Sequence, residues 1–348
     1  MSVTTHVKAF WEHFLTKEEQ IRTDLAEQNY ESLNQIIETL DEEVSEMTGA
    51  RFFVESGYDD YEMTFDTGPN KTTQYLCEYV KALAPESVKK GWIINSCLPP
   101  MSQKAIQACL KIKEYEYYIN DFYVFYEINE KNQSLEAELY CPGYHLIGND
   151  ERKKEMSMYL IETAIGECAY EAYLSRIDSI DEPKQDAKFC NLIDFYETIM
   201  KIVEQKDWRT YDRPIDIYSV YQPIQDFASD SLRKDMKFIF TTHPLLIEET
   251  IENKNDVLSD LKAKGGEYGY IYYNNLFRSK EDAVFRQKLS KKLDRTFTET
   301  QTANVIGGAI GKSYSYIDCI VYDKKRFVQI WKQIQTQIKE VDLHYLQF

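Results

Sequence analysis

The run Thr300–Asp323, TQTANVIGGAIGKSYSYIDCIVYD, constrains the fold more than any other stretch. It places three glycines within five residues and then continues in β-branched and aromatic residues. Gly311-Lys312-Ser313 ends like a phosphate-binding loop, whose full form is Gly-x-x-x-x-Gly-Lys-Ser/Thr between a strand and a helix. Five residues before Gly311, however, stands Ile306. Such a loop also needs a helix next, so that helix N-terminal N–H groups face the phosphates. Here Tyr314–Tyr322 follows, which is strand-like throughout. The stretch therefore reads as a strand, a tight turn at Gly311-Lys312-Ser313 and a return strand.

Alternation in the return strand sends Ser315, Ile317, Cys319 and Val321 to one face and Tyr314, Tyr316, Asp318, Ile320 and Tyr322 to the other. Large side chains on both faces predict cover on both sides, or tyrosines that keep a wet hydroxyl. Asp323 is placed to cap a last helix with the apolar stripe Phe327, Ile330, Trp331, Ile334 and Ile338. A hairpin with a helix folded back on it is an α+β unit.

With 348 residues the chain is long enough for two domains. Its 27 tyrosines and 17 phenylalanines suit half-buried sheet faces and grooves, or simply core packing. No apolar run approaches the roughly 18 residues of a membrane span. The start, MSVTTHVKAFWEHFLTKEEQ, lacks the apolar core of a secretory signal. Seven cysteines without a Cys-x-x-Cys fit reduced thiols and a cytoplasmic protein better than a disulfide framework or a zinc ribbon. The net charge is −17, and residues 1–70 carry sixteen acidic side chains against four basic ones (Lys8, Lys17, Arg22 and Arg51). Such a field repels phosphate backbones, so no nucleic-acid partner is expected.

Along the chain, residues 5–28 read as a helix with Val7, Phe10, Trp11, Phe14, Ile21 and Leu25 inward, followed by a helix over 30–47. The far end of the second carries Asp41, Glu42, Glu43 and Glu46, where negative charge opposes the helix dipole. Strands over 51–56 and 61–66 flank Gly57-Tyr58-Asp59-Asp60, and a helix with Leu76, Tyr79, Val80 and Leu83 follows Gly68-Pro69-Asn70. Residues 92–97 form a strand, 123–128 and 135–141 an antiparallel pair, and Asp150 caps a helix that Gly166 ends, with 167–177 as a strand. The polar run Asp178–Ala187 is the expected boundary between domains 1–182 and 183–348. Beyond it come a helix from Phe189 to Val203, strands over 216–221 and 236–241, a helix over 245–264 and a strand over 268–273. The next helix starts at Ser279, with Asp282 completing a capping box and Phe285, Leu289, Leu293 and Phe297 as its stripe. Its Arg286, Lys288, Lys291, Lys292 and Arg295 form a basic face, read as solvated, or else docked on the acidic N-terminal region within the chain or across a dimer.

Motifs for chemistry are sparse. The five histidines form no His-Glu-x-x-His, and Cys141 with His145 is half a metal pattern, so neither metal nor other cofactor is expected. His243 ends a strand, a position that suits catalysis, but no nucleophile motif accompanies it. Asp59 and Asp60 share a turn and read first as turn formers.

Two stretches carry a resemblance: Gly166-Glu167-Cys168-Ala169-Tyr170-Glu171, and Gly307-Gly308-Ala309-Ile310-Gly311 leading to Tyr316-Ile317-Asp318. They resemble segments of uncharacterised bacterial two-domain α+β proteins, and the C-terminal half is similar to ferredoxin-like regulatory modules such as the regulators of ribonuclease E. The resemblance implies an immunity-like or regulatory role. Together with the charge, it leads to the expectation of two α+β domains, each a mixed or antiparallel sheet covered by helices, in a non-enzymatic protein. Asp41, Glu42, Glu43, Glu46, Asp59 and Asp60 are expected to meet a basic protein partner. The alternative is a small-molecule enzyme or binding protein with a tyrosine-lined cleft between its domains.

Overall fold

A computed structural model of the chain describes residues 1–56, 61–101, 109–223 and 231–348. In chain order these form Val3–Glu27 (α1), Tyr30–Thr48 (α2), Arg51–Ser56 (β1), Tyr61–Asp66 (β2), Lys71–Ala82 (α3), Glu86–Gly91 (α4), Trp92–Asn95 (β3), Cys109–Ile112 (β4), Tyr115–Tyr118 (β5), Tyr123–Asn129 (β6) and Ser134–Tyr140 (β7). Then come Asp150–Tyr173 (α5), Leu174–Ile180 (β8), Phe189–Asn191 (β9), Phe195–Gln205 (α6), Ser219–Tyr221 (β10), Met236–Thr241 (β11), Pro244–Ile251 (α7) and Asp256–Ala263 (α8). Glu267–Asn274 (β12), Lys280–Thr300 (α9), Ala303–Gly311 (β13), Tyr314–Val321 (β14), Lys324–Gln337 (α10) and His344–Gln347 (β15) complete the chain. The fold is α+β.

Two compact units share these elements. One comprises Met1–Gly49, Lys71–Val88 and Tyr218–Phe348, and the other Ala50–Asn70 and Lys89–Ile217. Asp178–Ala187, the expected boundary, joins β8 to β9, which are outer strands of one four-stranded sheet in the order β8-β7-β6-β9.

In the first unit a six-stranded sheet runs β10-β11-β13-β14-β12-β15, with all its pairings antiparallel. Within it, the succession β12-α9-β13-β14-α10-β15 places its strands in the order β13-β14-β12-β15. This is the split βαβ topology of ferredoxin-like folds, with β11 and β10 added beside β13. The stripe of α9 (Leu289, Leu293, Phe297) and that of α10 (Phe327, Trp331, Ile334, Ile338) pack against Ile271, Ile317, Cys319 and Val321 on one face. The capping box of Ser279 with Asp282 and the Asp323 cap are formed as expected. On the opposite face Tyr270 and Tyr316 pack with Met236, Ile239 and Ile247. Every residue from Ser315 to Tyr322 is buried, so β14 is covered on both sides.

Gly311-Lys312-Ser313 is a hairpin turn, and its amides already hold an anion. The Asp235 carboxylate accepts hydrogen bonds from Ser313 N at 2.9 Å, Tyr314 N at 3.2 Å and the Tyr316 hydroxyl at 2.5 Å. Lys312 N donates to the Asp235 carbonyl at 2.9 Å. A Cβ on residue 311 would collide with that carboxylate, which is why glycine stands there. The likeness to a phosphate loop thus has a physical basis, but the acceptor belongs to the chain itself.

The second unit holds β1-β2-β3, β4-β5 and the sheet β8-β7-β6-β9. Its main core joins Val124, Leu135, Ala137 and Leu139 to Ile161, Ile165, Phe195 and Ile199. Phe189–Asn191, expected to open a helix, is strand β9, and the α-helix starts at Phe195. Gly166, at φ 77°, breaks α5 without ending it, and the helix resumes to Tyr173, so 167–173 is not strand. Backbone from the loop after β3 passes through the break. Met101 N donates to Ala164 O at 3.2 Å and Glu167 N to Leu98 O at 3.0 Å, so groups freed by the kink keep partners. The cap of α5 is Asn149, whose side chain accepts from Arg152 N, and not Asp150. In the first unit, the helix expected over 245–264 is two, α7 and α8, parted by Asn253 at φ 57°.

Candidate functional site

The acidic feature of the sequence folds as a helical hairpin in the first unit. In α1 Val7, Phe10, Trp11, Phe14 and Ile21 are buried, and in α2 Leu33, Leu40, Val44 and Met47. Trp11 Nε1 donates to Val80 O at 3.0 Å, and the Thr4 hydroxyl lies 2.7 Å from that of Tyr79, which ties α1 to α3. The corner between α1 and α2 is closed by Asp24, only 1% exposed, whose carboxylate accepts from Gln20, Asn29 and Ser32. One of the sixteen acids is thereby explained as structure.

The acids on α2 divide by their position. Glu42 and Glu46 are exposed, while Asp41 and Glu43 are half-buried. Glu43 Oε1 lies 2.8 Å from His13 Nδ1 on α1, which staples the hairpin. Glu38, Glu42 and Glu46 follow one another at intervals of four, so they share a stripe of the helix. All three face solvent, and none forms an ion pair within the described residues. The last turn of α2 contains no basic residue. Its C-cap, Gly49 at φ 87°, instead has the Lys264 ammonium close by, 3.3 Å from where a Cβ would sit. That ammonium is itself paired with Asp260 at 2.7 Å, and among the described residues the carboxylate stripe stays without counter-ions. Asp59 and Asp60 lie outside the described residues.

Other sequence candidates prove structural in their surroundings. His243 is 2% exposed and caps α7, its Nδ1 accepting from Leu246 N at 3.2 Å while Nε2 lies 3.2 Å from the Thr72 hydroxyl. Burial, helped by the nearby Lys71 charge, lowers its pKa to about 3, so the ring is neutral at physiological pH. Cys141 is buried, and burial raises its pKa to about 11, which makes it an inert thiol. Among the described residues no three His, Cys, Asp or Glu side chains converge to hold a metal ion. Nor is any of their helices long and apolar enough to cross a membrane.

The sequence reads the basic face of α9 first as solvated, with docking on the acidic N-terminal region as the alternative. Lys288, Lys291, Lys292 and Arg295 are exposed as the first reading requires, but Arg286 turns inward and its Nε is sealed from solvent. Nothing local marks Arg286 out from its neighbours; the signal lies across the sheet at Gly308, where a Cβ would come within 2.9 Å of the Arg286 guanidinium.

In comparisons with protein-family models, curated proteins and solved structures, the chain finds no match. A functional reading therefore rests on the chemistry of these surfaces.

Proposed function

We propose that the protein is a non-enzymatic binding protein, immunity-like or regulatory in kind, that takes a basic protein partner on the acidic face of its α1–α2 hairpin. The observation that carries this reading is the stripe Glu38, Glu42 and Glu46, exposed and without ion pairs among the described residues. Like charges at this spacing destabilise a helix by about 0.2–0.5 kcal/mol per pair, so the stripe costs the free protein something. A surface of partner lysines and arginines would reverse the sign of that term. Charge of this kind chiefly accelerates association and makes the rate fall with salt. Solubility alone is served as well by scattered charge, and the regular spacing on one stripe is what favours a partner.

The test uses the full chain as bait, beside a variant combining Asp41→Asn, Glu42→Gln and Glu46→Gln. The native chain should capture a basic protein at low salt, with an association rate that drops at least tenfold as ionic strength rises to about 1 M, where the Debye length is ~3 Å. The neutralised variant should lose most of that rate. A variant that folds normally and binds the same partner just as fast would refute the reading.

A further inference from the structure

A second surface of the first unit has polar groups without hydrogen-bond partners among the described residues. Between α9 and the strands β11 and β13 lies a groove of about 420 Å³, walled by Phe240, Val284, Val305 and Ile306 and floored at Gly307. That volume falls within the range of small-molecule sites. Arg286 and Ser290 both line it, and Arg286 Nε and Ser290 Oγ are buried with no hydrogen-bond partner among the described residues. They are one helical turn apart, hence on the same face of α9.

The groove exists because of the glycine-rich strand. β13 shifts register between Val305 and Gly307, whose φ of 153° belongs to glycine, and Gly308 then lies opposite Phe240. A side chain at 308 would press on the Arg286 guanidinium. Gly308 therefore leaves room for the guanidinium beside the strand, while Gly307 lies against the Phe240 carbonyl. Asp318, a carboxylate whose charge acts on Arg286, is itself engaged by Arg233 at 2.6 Å. Among the described residues Arg286 forms no salt bridge.

A buried donor without a partner is destabilising, and more so when it belongs to a charged group. A guanidinium N–H and a hydroxyl on one helix face, inside an apolar wall, match a carboxylate attached to an apolar body. A dianion fits less well, since one guanidinium offsets only half its charge in an apolar groove. Lys291 at the same groove is exposed and adds positive potential toward solvent. Phe240 and Val284, respectively 36% and 52% exposed, give the entrance an apolar lip. We propose that this groove binds a small carboxylic acid with an apolar tail, its carboxylate accepting hydrogen bonds from Arg286 Nε and Ser290 Oγ. This site is separate from the acidic stripe and stands whether or not a basic partner exists.

Octanoate, octanol and octyl phosphate are the probes, titrated calorimetrically into the full chain. Octanoate should bind saturably at one site per chain, at least tenfold tighter than octanol and tighter than octyl phosphate. Ser290→Ala should weaken octanoate severalfold, and Arg286→Lys, which keeps the charge but removes the Nε donor, about tenfold. Octanoate should also raise the melting temperature of the native chain more than that of either variant. Ser290→Ala removes one atom and preserves the fold, so the proposal does not depend on how well Arg286→Lys folds. No saturable octanoate binding at millimolar concentration would overturn it. So would octanoate affinity unchanged in a folded Ser290→Ala protein, as expected if water satisfies both atoms, or a preference for octyl phosphate.

Discussion

Neutralising Glu42 should stabilise the protein, and the structure sets the size of the gain. Glu42 stands between Glu38 and Glu46 at intervals of four, with all three exposed on α2. Residues at that spacing have Cβ atoms about 5–6 Å apart, and each like-charge pair costs about 0.2–0.5 kcal/mol. Glu42→Gln removes two such pairs at once. Gln and Glu have nearly equal helix propensity, so backbone preference contributes little. Unfolding free energy should rise by about 0.4–1 kcal/mol at low salt. In about 1 M salt, where the Debye length shortens to ~3 Å, most of the gain should vanish. Urea unfolding of native and variant protein at the two ionic strengths measures both numbers. A stability that is unchanged or reduced at low salt would mean that the stripe is neutralised by groups of its own chain. A gain that persists in high salt would mean that its origin is not electrostatic.

The hairpin turn gives a contrasting pair. Asp235→Ala leaves three donors without their acceptor and should lower stability by about 3 kcal/mol or more. Lys312→Ala, at an exposed position, should change it by no more than about 0.5 kcal/mol. Thermal denaturation decides between them, and a shift on adding ATP that depends on Lys312 would overturn the turn's structural role. In the second unit Glu167 is 2% exposed, and burial above all raises its pKa from 4.5 to about 7, against the hydrogen bonds it accepts from Thr67 and Gly68. The folded state then holds this proton more tightly than the unfolded one, so stability should fall as pH rises from about 4.5 to about 7. Glu167→Gln should flatten that part of the stability–pH curve, and an unaltered slope would show the proton to reside elsewhere.

Local pattern made much of this architecture legible. The α9 and α10 stripes, the Ser279 and Asp323 caps and the hairpin at Gly311 depend on residues within one or two turns of each other, and the sequence displays them directly. Where distant chain intervenes, the reading fails. Gly166 looks like a helix end, yet the 98–101 segment supplies partners to the backbone that it frees, and α5 continues. Asp178–Ala187 has the composition of a linker, but pairings to β6 and β7 hold both of its flanks in one sheet. Asp235 fills the turn from nearly eighty positions away, and Arg286, unlike the exposed lysines of α9, lies against Gly308 of a distant strand. The acidity of residues 1–70 is legible as charge, but Glu38 and the stripe it starts are not. What the fold adds is its division into Asp24 and Glu43, which hold the helical hairpin together, and Glu38, Glu42 and Glu46, which face solvent without ion pairs among the described residues.

Carbodiimide coupling tests that division most directly, because it joins a carboxylate to an amine only when the two are in contact. With a captured basic partner, the adducts should fall on Glu38, Glu42 and Glu46 of α2, and Asp24, enclosed at the helix corner, should give none. They should disappear when the complex is formed in high salt. Adducts that avoid α2 altogether, on a complex that survives high salt, would contradict the assignment of this face as the partner-binding surface.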